Sequence, residues 1–146
     1  MRGAAVSPMS TDQREKSEYL RNALLNIATG KSTDEVKQQI FLNAIEAFAP
    51  AHVKALDVMW RGAGWKIPWD QNSIGMRQRN YGAAIGVLAP ELKGQADVIG
   101  AVIAELRNRG LSNLSGPDLS FPQGGQITGL GAAFMNFVLS PEDLAK

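Results

Sequence analysis

The chain has 146 residues, 45% of them hydrophobic and 20% charged, so it has room for one domain of ordinary size and a globular rather than disordered or collagen-like composition. Fifteen Lys+Arg against fourteen Asp+Glu leave a net charge of +1, which sets up no global field for nucleic acid or anionic lipid; any such partner needs a local patch. The absence of cysteine excludes disulfide frameworks, thiolate metal sites and Cys nucleophiles together.

Residues 2–10 are small, polar and Pro-containing, and read as a flexible leader, a linker from a longer parent chain or an added remnant, outside the fold. Ser10 or Thr11 caps a first helix in which Tyr19, Leu20, Ala23, Leu24, Ile27 and Ala28 recur at helical spacing until Gly30. Ser32 followed by Glu35 has capping-box spacing and opens a second helix with a stripe of Val36, Ile40, Phe41, Ile45 and Phe48. Pro50 ends that helix and suits the first turn of a third, whose apolar side is Val53, Leu56, Val58, Met59 and Trp60. From Arg61 to Ser73 the pattern gives way to a long Gly- and Pro-containing connection that holds Trp65 and Trp69.

Helical spacing returns at Tyr81, Ile85, Val87 and Leu88, stops near Pro90, and resumes over Gln95–Arg109 with Val98, Ile99, Val102, Ile103 and Leu106 turned inward. Leu111–Ser115 and Gln126–Thr128, separated by turn-rich sequence, predict a short two-stranded hairpin. A last long helix is expected from about Leu130 to Leu139, burying Leu130, Phe134, Phe137 and Val138, before a final turn at Ser140-Pro141. The expected fold is mainly α, about six helices with a small two-stranded β wing, in a single helical domain over 11–146.

The stretch from Ala104-Glu105-Leu106-Arg107-Asn108-Arg109-Gly110-Leu111 through the hairpin to Ile127-Thr128-Gly129-Leu130-Gly131 resembles the second half of a winged-helix domain. The pattern has a physical basis. Leu106 packs under the sheet, Gly110 supplies a left-handed helix end, Leu111 begins the first wing strand, and Thr128 caps the final helix near Gly131. Ile127 stands where that family's pattern has Leu. The resemblance places a winged-helix-like part at about 51–139. The first half, with Tyr19-Leu20-Arg21-Asn22-Ala23-Leu24-Leu25-Asn26 and Ile45-Glu46-Ala47-Phe48-Ala49-Pro50-Ala51-His52, is similar to helical modules of uncharacterised prokaryotic proteins, and this similarity implies no known reaction.

A winged helix implies DNA, but the outward set of the Gln95–Arg109 helix is Asp97, Gly100, Ala101, Ala104, Glu105 and Asn108, small and slightly acidic. Base and phosphate contacts need longer polar or cationic side chains, and only Gln95, Arg107, Asn108 and Arg109 at the helix ends supply them. The Ala101 and Ala104 surface suits close approach of another helix. Arg61, Lys66, Arg77 and Arg79, set against Asp70 and interleaved with Trp60, Trp65 and Trp69, form the more basic cluster. Such a cluster fits stacking and phosphate contact, a protein hot spot, an apolar ligand pocket, or a tryptophan-plugged core with solvated arginines.

His52 is the only histidine, which leaves no multi-histidine metal site and favours a role at the helix start or in the core. The acidic pairs Asp34-Glu35 and Glu142-Asp143 sit at helix starts, where the macrodipole explains them. Gly62-Ala63-Gly64 and Gly124-Gly125 lack P-loop and dinucleotide spacing, and Ser112 and Ser115 lack a nucleophile elbow. No cofactor, metal or catalytic residue is expected. No apolar run approaches the roughly 20 residues that cross a bilayer, so a cytoplasmic protein without membrane contact is expected. The expected function is a non-catalytic protein-interaction or oligomerisation module using Trp65, Trp69, Ala101 and Ala104. The alternative is a DNA-binding transcriptional regulator using Arg77, Arg79, Arg107, Asn108 and Arg109.

Overall fold

A computed structural model describes residues 11–30, 34–61, 80–121 and 125–139, and among these the chain is mainly helical. Six α-helices are formed by the described residues: α1 (Thr11–Ala28), α2 (Glu35–Ala47), α3 (Pro50–Arg61), α4 (Tyr81–Leu88), α5 (Ala96–Asn108) and α6 (Gly129–Val138). A short 3-10 turn, Pro90–Leu92, links α4 to α5. The chain divides into two compact units, Met1–Pro50 with Val138–Lys146, and Ala51–Phe137.

In the first unit α1 packs against α2. Lys16 Nζ reaches the Glu46 carbonyl at 2.9 Å, and Asn22 Nδ2 donates to the Val138 carbonyl at 2.9 Å. The cap of α2 is Asp34 rather than Ser32. Its carboxylate accepts from the Val36 and Lys37 amides at 2.9 and 3.3 Å, which makes Glu35 the first helical residue. A carboxylate there satisfies amides that have no partner within the helix and meets the positive end of its dipole. The helix ends where Phe48 turns extended, two residues before Pro50.

The second unit has its core in Leu56, Val58, Tyr81, Ile85, Ile103, Leu106, Leu111, Leu114, Phe134 and Met135, all essentially inaccessible to water. Asn80 caps α4 by accepting from the Ala83 amide at 2.8 Å. On α5 the inward residues are Ile99, Val102, Ile103 and Leu106; Val98, expected inside, is 36% exposed. On α6 Phe134, Phe137 and Val138 are buried, while Leu130 is only half-buried.

The expected hairpin is reduced to its base. Ser112 and Ile127 form an antiparallel bridge, supported by Asn113 N–H to the Gln126 carbonyl (2.9 Å) and Thr128 N–H to the Leu111 carbonyl (3.2 Å), and among the described residues no strand extends from it. The residues after Ser112 have other partners for their carbonyls. Arg107 Nη1 donates to those of Leu114 and Ser115, each at 3.0 Å. Gly82 N–H takes that of Pro117 (2.9 Å) and Tyr81 N–H that of Leu119 (3.0 Å). A chain whose carbonyls are bound on the α4 and α5 sides has no ladder left to offer across a hairpin. Tyr81 and Phe121 meet edge to face, their ring centroids 5.1 Å apart, and fasten the same loop.

Candidate functional site

The surroundings of the Ser112–Ile127 bridge show how the local chemistry works. Gly110 takes φ +78°, a left-handed conformation that lets the chain leave α5 and run straight into buried Leu111. Thr128 then joins two helix ends: its hydroxyl donates to the Gly110 carbonyl at 2.7 Å and accepts from the Gly131 amide at 2.9 Å. Gly131 lies so near the Leu111 backbone that an added Cβ would collide with the Leu111 carbonyl and stand 2.7 Å from Ile127 Cγ1. Ser112, within the expected Leu111–Ser115 strand, is a buried structural residue whose oxygen accepts from Leu114 N–H at 2.9 Å and donates to the Gln126 carbonyl at 3.1 Å.

Of the residues expected to bind a partner, Ala101 is exposed and Ala104 half-buried on α5; Trp65 and Trp69 lie outside the described residues. Of the cations expected to meet DNA, Arg77 and Arg79 also lie outside them. Arg107, Asn108 and Arg109 are exposed at the C-terminal end of α5, but the Arg107 guanidinium is engaged with the two loop carbonyls. Arg61, counted above with the basic cluster, is paired with Asp57 one turn back, Nε to Oδ1 at 2.8 Å, with both side chains largely buried. That pairing takes one positive charge away from the cluster.

His52 is buried on α3, and its Nε2 lies 3.4 Å from Glu105 Oε2 on α5. The carboxylate is half exposed, so the contact links the two helices at the edge of the core rather than within a cleft. Among the described residues no three His, Asp or Glu side chains come together in a way that could hold a metal ion. None of the helices of the described residues is long and apolar enough to cross a membrane.

The feature the sequence reading missed is in the first unit. Six large apolar side chains are exposed among the described residues, and five of them are on α1 and α2: Leu20, Leu24, Leu25, Val36 and Ile40. Val36 is 69% exposed and Leu24 and Leu25 just over half. Between the two helices runs a groove of about 620 Å³ lined by Leu20, Leu24, Leu42 and Ile45, with Lys16, Ser17 and Glu46 completing its lining. A signal for it was present. At 100° per residue Leu20 and Leu25 stand roughly 140° apart around α1, a wider apolar arc than one packed helix covers. On α2 Phe41, Ile45 and Phe48 are buried, and Val36 and Ile40 are exposed on the side of the helix away from Leu42 and the groove.

No protein-family model, curated protein or solved structure matches the chain.

Proposed function

We propose that the chain is a non-catalytic protein-interaction or oligomerisation module of winged-helix type. The observation that carries this reading is the apolar groove between α1 and α2, whose lining includes the exposed Leu20 and Leu24. Scattered apolar side chains are ordinary on a protein surface, whereas a contiguous set marks a place where another molecule excludes water. The winged-helix assignment draws its support from the Gly110 turn, the Thr128 cap and the Ser112–Ile127 bridge. The cysteine-free composition favours a reducing, cytoplasmic setting.

The alternative is a DNA-binding regulator, favoured by the three consecutive exposed residues Arg107, Asn108 and Arg109 beside the base of the wing. Against it stand the engagement of Arg107 with the loop and the acidic, small outward face of α5. Fluorescence anisotropy of labelled duplex and single-stranded DNA, titrated with the protein at low and at physiological salt, separates the two. The interaction reading expects flat titrations in both. Saturable binding that weakens steeply with salt and is lost in Arg77→Glu/Arg79→Glu would establish the DNA reading instead, because phosphate contacts release counterions.

A further inference from the structure

We draw no further inference here: the strongest candidate, the apolar groove between α1 and α2 lined by Leu20, Leu24, Leu42 and Ile45, is an unpartnered face, and nothing in the structure shows what covers it.

Discussion

The hydroxyl of Thr128 donates to the carbonyl of Gly110 at 2.7 Å, tying the end of α5 to the start of α6 beside the Ser112–Ile127 bridge. The same oxygen accepts from the Gly131 amide, so one side chain serves two helix termini. Thr128→Ala removes both bonds and should destabilise the chain by about 1–2 kcal/mol, the range for a lost N-cap. Thr128→Ser should recover most of that. Urea denaturation checks it, with a shifted midpoint and an unchanged slope expected.

Gly110 and Gly131 need to be glycine for different reasons, and alanine at each should separate them. Gly110→Ala places a side chain at φ +78° with only the Leu130 side chain nearby, 3.9 Å away, so its cost is conformational, about 1 kcal/mol. Gly131→Ala drives a Cβ into the Leu111 backbone, which cannot move without breaking the Ser112–Ile127 bridge. The loss there should be about 3 kcal/mol or more. Equal losses at the two sites in thermal unfolding would contradict the close approach at Gly131.

Arg107 holds the loop after Ser112 through two carbonyls. Arg107→Ala should cost on the order of 1 kcal/mol and speed amide exchange between Asn113 and Phe121, because carbonyls that lose a charged donor must find water. Arg109→Ala should leave exchange in that loop unchanged. If both variants have identical exchange patterns, the guanidinium does not fasten the loop.

What could be read from the sequence was what short-range chemistry decides. The Gly110 turn, the capping of Gly131 by Thr128 and the helix start at Pro50 each act within a few residues, and each is in the structure what residue type and position imply. The α2 cap shows the resolution of such reading. Ser32 and Asp34 both have capping side chains within two residues of each other, and spacing to Glu35 alone favours the wrong one. That the expected hairpin does not extend beyond the Ser112–Ile127 bridge was not legible, because the carbonyls of Leu114 and Ser115 are taken by Arg107 and those of Pro117 and Leu119 by the first turn of α4, partners that no local pattern reveals. On α1 the periodicity identified the apolar residues but not which of them another element covers. Ala23 is buried while Leu20 and Leu24, on the same expected face, are exposed. An amphipathic pattern states a preference for burial without naming the partner, and here that gap coincides with the candidate surface.

Fluorescence anisotropy of labelled duplex and single-stranded DNA, titrated with the full chain at low and at physiological salt, tests the central claim most directly. The interaction reading predicts flat titrations in both. Saturable binding that weakens steeply with salt would contradict it, because phosphate contacts release counterions.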